Sequence, residues 1–203
     1  MTMKKTAVGH AVALFTIIVW GITFVCTKVL LVDFSPVEIL FLRFVMAFCV
    51  LYALSPGKLP GMTARRRLIV AGAGLTGICL YYLLENIALG HTLASNVAVI
   101  LAATPLFTAL VARVVFRSRE RLGLRFALGF LVAMTGICLI SFNGSRLSLN
   151  PLGDLLAVTA GLVWAFYACL TSVMGHWGCS SLQITRVTFG WGLLIMLPFR
   201  SFF

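Results

Sequence analysis

Seven apolar stretches, each long enough to cross a lipid bilayer as a helix or close to it, limit what this chain can fold into. They cover residues 7–31, 37–54, 68–89, 93–116, 126–142, 152–174 and 182–199. A hydrocarbon core about 30 Å thick needs ~20 apolar helical residues, with ~17–25 tolerated. The breaks carry turn-forming residues: Ser35-Pro36, Ser55-Pro56-Gly57, Gly90, Asn143-Gly144 and Asn150-Pro151. Connections this short force neighbouring helices antiparallel and leave no stretch for a separate soluble domain. The fold class read from this pattern is all-α, a polytopic membrane helix bundle of about seven transmembrane helices.

Composition agrees. The 203 residues are 61% hydrophobic and 10% charged, with a mean hydropathy of +1.08. A soluble domain is ~45–50% apolar and ~25% charged, so disorder, collagen and coiled coil are excluded along with ordinary soluble folds. The net charge of +11 sets 16 Lys+Arg against five acids, Asp33, Glu38, Glu85, Glu120 and Asp154. In a soluble protein that balance would suggest nucleic acid, but here the basic residues fill the gaps between apolar runs. With the N-terminus in the cytoplasm, eleven lie inside: Lys4, Lys5, Lys58, Arg65, Arg66, Arg67, Arg113, Arg117, Arg119, Arg121 and Arg125. Only Arg146 and Arg200 lie outside, while Lys28, Arg43 and Arg186 fall within runs. The positive-inside rule therefore predicts a cytoplasmic N-terminus in a multi-pass protein of the cell (inner) membrane, with the C-terminus outside after seven spans. The first run follows Lys4-Lys5 as a signal peptide would. It is much longer than a signal h-region of ~7–15 residues and lacks a small-x-small cleavage site, so a retained helix is expected.

No soluble-enzyme chemistry is legible. Cys26, Cys49, Cys79, Cys138, Cys169 and Cys179 show no C-x-x-C spacing and read as small apolar packing residues. His10, His91 and His176 are scattered, and G-x-S-x-G, H-E-x-x-H and P-loop motifs are missing. Gly72-Ala73-Gly74-Leu75-Thr76-Gly77 fits G-x-G-x-x-G, but the apolar run continues to Leu84 and no acid lies near 91–96. These glycines are expected to let the third helix approach a neighbour closely. Gly129 and Gly136 on the fifth helix read the same way. Asn143-Gly144-Ser145 is a formal glycosylation sequon, relevant only in a eukaryotic secretory system. The basic run 117–125 reads as a topological anchor first and an anionic-lipid contact second. No cofactor and no metal are implied.

An internal repeat sets 9–28 over 153–172: Gly9/Gly153, Ala13/Ala157, Val19/Val163, Trp20/Trp164 and Thr27/Thr171 coincide at an offset of 144. The second unit begins after five helices, an odd number, so it enters the membrane with reversed polarity. Inverted repeats of this kind place a substrate site near the midplane between the two units.

Several stretches together resemble the drug/metabolite transporter superfamily, in particular its EamA-type members. The first helix carries Trp20-Gly21-x-x-Phe24-x-x-x-Lys28, and the second opens Ser35-Pro36 with Arg43 seven positions after the proline. The third and fourth read Tyr81-Tyr82-Leu83-Leu84-Glu85-Asn86-Ile87-Ala88-Leu89, then Thr92-Leu93-Ala94-Ser95-Asn96-Val97, Thr104-Pro105-Leu106-Phe107 and Glu120. The sixth opens Gly153-Asp154 and continues to Trp164-Ala165-x-Tyr167. The resemblance implies a first five-helix repeat over 1–145 and the start of a second over 146–203, incomplete because such proteins run to ten helices. It also implies alternating access, in which two mirrored bundles rock about a central cavity. The expected function is a secondary transporter, not an enzyme, exporting small metabolites or drugs of amino-acid-like or cationic character. With no nucleotide motif, a proton or substrate gradient would drive it. A seven-span receptor or scaffold and an inactive fragment of a ten-helix transporter are the alternatives. The partners implied are a small-molecule substrate, the lipid bilayer and, as an option, a second copy of the chain; nucleic acid is not expected.

Candidate pathway residues follow from chemistry and position. Glu85 is the one carboxylate inside an apolar run away from the first turn of its helix, where Glu38 and Asp154 stand, and a charge there usually faces a partner or a watery path. Glu85, Asn86, Ser95 and Asn96 lie at similar depth beside the turn near Gly90-His91 and could form one polar layer, either a clamp between helices or a proton- or substrate-facing site. Lys28 and Arg43 either snorkel or pair with Asp33 and Glu38, or form an outer ring that attracts anions. Arg186 has the same choice at the cytoplasmic side. Trp20, Tyr81, Tyr82, Trp164 and Tyr167 are candidates to line a central cavity, and Pro105 for a kink or hinge in the fourth helix.

Overall fold

The computed structural model describes residues 3–198 except 58, 60, 116, 118–122 and 143–149. Lys58, Arg119, Glu120, Arg121, Arg146, Arg200 and the 143–145 sequon therefore lie outside the described residues, as do the side chains of Lys4 and Lys5. All seven apolar runs are helices: α1 (Met3–Leu30), α2 (Pro36–Leu54), α3 (Ala64–His91), α4 (Ala94–Val114), α5 (Leu124–Phe142), α6 (Pro151–Gly175) and α7 (Ser181–Met196). By length and composition α1, α2, α3, α4 and α6 can each cross a membrane. The 16 residues of α7 are followed by a short 3₁₀ turn over 197–198. No strand occurs among the described residues. The molecule is a polytopic helical bundle.

Caps set the helix starts more sharply than hydropathy does. Ser35 accepts from the Glu38 amide at 3.3 Å while the Glu38 carboxylate accepts from the Ser35 amide at 2.8 Å, with Pro36 opening the helix. Ser180 and Gln183 form the same reciprocal pair at the start of α7. Asn150 accepts from the Gly153 amide at 3.1 Å before Pro151 opens α6. Thr63 caps α3, which begins four residues before the apolar run at Leu68, because a helix can carry Arg65, Arg66 and Arg67 where a hydropathy reading stops.

Two helices depart from regular α geometry. In α3, residues Gly74–Leu80 form a π-helical stretch between Ala64–Ala73 and Tyr81–His91. It lies where α6 and α7 press closest: a Cβ on Gly74 would come within 2.7 Å of the Gly192 amide nitrogen, and one on Gly77 within 2.2 Å of the Tyr167 ring. The glycines of 72–77 thus serve close helix approach, as read from the sequence. α4 breaks at Ala103, ahead of Pro105. Proline cannot donate to the Leu101 carbonyl four residues back, and the Thr104 hydroxyl donates to that carbonyl instead.

α3 is the hub, packing against α1, α2, α4, α6 and α7. Lipid tails are as apolar as leucine, so small residues and polar groups decide which helices associate. The buried stripe of α6 shows this: Gly153, Ala157, Ala160, Gly161 and Ala165. Against it lie Ala88, Leu89 and Val97 from α3 and α4, and a Cβ on Gly161 would come within 2.9 Å of Phe107. Leu40 and Phe44 of α2 pack with Ile78 and Cys79 of α3 and Met196 of α7. The six cysteines are all free thiols. Gly129 and Gly136 correct the sequence reading: nothing among the described residues lies within 4 Å of where a Cβ would stand on either. α5 packs on α4 with most of its described surface exposed, so its glycines face open space.

Candidate functional site

Lys28, late in α1, and Asp154, early in α6, both reach the α3–α4 turn, while Trp20 and Trp164 meet at mid-helix. α1 and α6 therefore run in opposite directions. At their crossing the two tryptophans, one from each repeat-equivalent position, stand edge to face with ring centroids 5.9 Å apart.

An aromatic cluster grows from that contact. Trp164 lies 4.6 Å from Tyr81 and 4.9 Å from Tyr167 between ring centroids. Tyr81 meets Tyr82 at 4.8 Å, Tyr82 meets Phe44 at 5.0 Å, and Phe44 meets Phe189 at 4.9 Å. Consecutive residues on a helix point about 100° apart, so Tyr81 faces α6 while Tyr82 faces α2. Both follow directly on the π-helical stretch, which adds a residue to the turn and sets their directions. The cluster thus joins α1, α2, α3, α6 and α7.

Charges of both signs border it. The Arg43 guanidinium stands 5.2 Å over the Tyr82 ring and donates a long hydrogen bond, 3.5 Å, to Thr27 Oγ1. Glu85, only 4% exposed, sits one turn beyond Tyr81, with Tyr81 and Arg43 as its electrostatic neighbours. Such an arrangement can hold a small molecule bearing a cation, an anionic group or both against aromatic faces.

A second polar group closes the bundle at the α3–α4 turn. Lys28 Nζ donates to the carbonyls of Leu89 and Thr92, the latter at 3.0 Å. Thr92 Oγ1 donates to Asp154 Oδ1 at 3.0 Å and accepts from Asn96 Nδ2 at 3.2 Å. Asn150 donates to the His91 carbonyl at 2.8 Å through its side chain, and its amide to Asp154 Oδ2 at 3.2 Å. Asn86 points elsewhere, donating to the Pro36 carbonyl of α2 at 3.1 Å while its buried Oδ1 has no hydrogen-bond partner among the described residues.

The candidates from sequence therefore separate into groups. Trp20, Tyr82, Trp164 and Tyr167 share the aromatic cluster with Arg43 and Glu85. Lys28 and Asn96 belong to the tie at the turn, and Asn86 anchors α2. Pro105 is exposed on α4. Arg186 is buried and donates to the carbonyls of Ser55 and Gly57. Sequence reasoning missed Phe44 and Phe189, which look like ordinary core residues, and the joint role of Thr92 and Asp154, whose only signal was an acid in the first turn of the repeated helix.

Comparison with known proteins bears on the whole chain. The profile described as the EamA-like transporter family matches residues 7–142. An uncharacterized transporter of Archaeoglobus fulgidus is 27% identical over 195 residues, covering 94% of this chain and 66% of that protein. The uncharacterized transporter YyaM of Bacillus subtilis is 28% identical over 157 residues, covering 74% of this chain and 51% of that protein. The chain thus spans between half and two thirds of the length of these relatives. No solved structure matches.

Proposed function

Because the chain belongs to the EamA-like transporter family, we propose that it serves as a multi-pass secondary transporter exporting small metabolites or drugs, amino-acid-like or cationic, by alternating access. The observation that carries this reading is the meeting of Trp20 and Trp164 inside a cluster bordered by Arg43 and Glu85. Repeat-equivalent residues converge there from oppositely directed helices, as a midplane site between inverted units requires. The matching reciprocal caps at Ser35/Glu38 and Ser180/Gln183 support units at 1–145 and 146–203. In this reading Arg43 meets an anionic group of the substrate, the aromatic faces meet its apolar or cationic part, and Glu85 takes up a proton or an ammonium group.

The bundle rocks open by parting the Lys28–Thr92–Asp154 tie at one end and closes by remaking it. The basic residues set that end outside, with the N-terminus in the cytoplasm of a cell whose inner membrane holds the protein. Exposed apolar faces on α1 and α5 leave room for a second copy. The chain has no role in catalysis or nucleic-acid binding in this scheme.

The test is export from proteoliposomes loaded with a cationic dye or an aromatic amino acid, using the protein and its Glu85→Gln variant. Glu85→Gln is expected to lower export by about tenfold, a difference of ~1.4 kcal/mol, while expression and melting temperature hold. Unchanged export by a well-folded Glu85→Gln protein overturns the role of Glu85.

A further inference from the structure

At the end of the bundle opposite the α3–α4 turn, a cavity of about 470 Å³ opens between α2 and α7. Its walls are apolar, with Phe41, Phe48 and Tyr52 on one side and Val187, Trp191 and Leu194 on the other. Among the described residues one cation reaches it, Arg186, whose guanidinium lies 5.6 Å over the Tyr52 ring and donates to the Ser55 and Gly57 carbonyls. Gly57 can offer its carbonyl because it adopts φ +108°, a conformation open to glycine. Carbonyls orient the guanidinium but carry no net charge, and no carboxylate lines the cavity among the described residues. A long apolar groove ending in a cation with no described carboxylate beside it fits a molecule that is apolar along its length and anionic at one end.

We propose that this groove binds an anionic phospholipid of the cytoplasmic leaflet, one acyl chain against the apolar walls and the phosphate at Arg186. The choice of leaflet rests on the orientation proposed above; the site itself is separate from the Glu85 cluster. Basic pockets between helices at the cytoplasmic face suit anionic headgroups, and Arg65, Arg66 and Arg67 begin α3 at this same end. A second copy lying in the same orientation fits less well. The described carboxylates Asp33, Glu38, Glu85 and Asp154 all lie toward the other end, at the α1–α2 turn, the α6 start and beside the α3–α4 turn. Such a copy has none of these four to set against Arg186, and its remaining carboxylate, Glu120, stands in the sequence between Arg119 and Arg121.

The experiment is native mass spectrometry of the purified full-length protein with phosphatidylglycerol and phosphatidylcholine of matched chains. The protein is expected to retain one phosphatidylglycerol with a preference on the order of tenfold over phosphatidylcholine. Arg186→Gln should remove the preference, and Val45→Trp, which fills the groove and leaves the Arg186 hydrogen bonds alone, should lower retention of both lipids. A double Arg65→Gln/Arg67→Gln variant should keep the bound lipid, setting the groove apart from general attraction to basic loops. Equal retention of the two lipids, an unchanged preference in folded Arg186→Gln, undiminished retention in Val45→Trp, or a second protein copy in place of lipid overturns the proposal. Should Arg186→Gln fail to fold, Val45→Trp alone decides. Mass spectrometry detects the lipid whichever leaflet supplies it, so an error of orientation and an error of site are told apart.

Discussion

α3 and α5 are both apolar helices punctuated by glycines, yet they hold opposite places in the bundle. α3 touches five other helices, and Gly74 and Gly77 sit where any side chain would strike α7 or α6. α5 leans on α4, and Gly129 and Gly136 face nothing among the described residues. The difference lies in the company the glycines keep. α3 also carries Glu85, Asn86 and, at its end, Thr92, each engaged with another helix. On α5 the Thr135 hydroxyl bonds back to its own Leu131 carbonyl. Where the solvent is itself apolar, small residues combined with outward-reaching polar groups mark the helix that others pack around.

Three substitutions press on that contrast. The largest effect is expected from Gly77→Leu. It drives a side chain into the Tyr167 ring, and overpacking of this kind costs ~1–3 kcal/mol, occasionally more. The variant should lose monodispersity in gel filtration and melt well below the parent, and a parent-like melt would break the contrast. Thr92→Val removes the donor to Asp154 and the acceptor for Asn96. Hydrogen bonds between membrane helices average ~0.6 kcal/mol and reach ~1.7, so a moderate drop in melting temperature is expected, and none would show that this tie adds nothing to stability. The smallest effect belongs to Gly129→Ala, within ~0.5 kcal/mol of zero; a loss matching that of Gly77→Leu would mean that α5 has a close neighbour after all.

Much of the fold was legible because hydropathy and punctuation coincide. Ser35-Pro36 and Asn150-Pro151 place helix starts within a residue, and the Trp20/Trp164 repeat pairs two rings that do touch. Other features were hidden for physical reasons. A π-helical stretch has no residue signature, so the rotation that aims Tyr81 and Tyr82 at different helices cannot be read from 74–82. The polar layer of Glu85, Asn86, Ser95 and Asn96 rests on depth along the helices. Depth says nothing of azimuth, and Glu85, Asn86 and Asn96 reach different partners. The sequence lets Lys28 snorkel, pair with Asp33 or Glu38, or join an outer ring that attracts anions; in the fold the Leu89 and Thr92 carbonyls at the end of α3 lie within its reach and accept its hydrogen bonds. Glycine spacing alone could not tell α3 from α5, since the neighbour that makes a glycine necessary is not in the local sequence.

In the proposed mechanism the two units part at the α3–α4 turn while they meet at the aromatic cluster. Cysteines placed at Thr92 and Asp154 in an otherwise cysteine-free protein, where the native side chains stand 3.0 Å apart, can be joined by a short bifunctional thiol reagent. Export by the full-length protein in liposomes is predicted to stop when they are joined and to return when a cleavable link is reduced. Export that continues at its original rate through a completely linked protein would contradict alternating access through this turn.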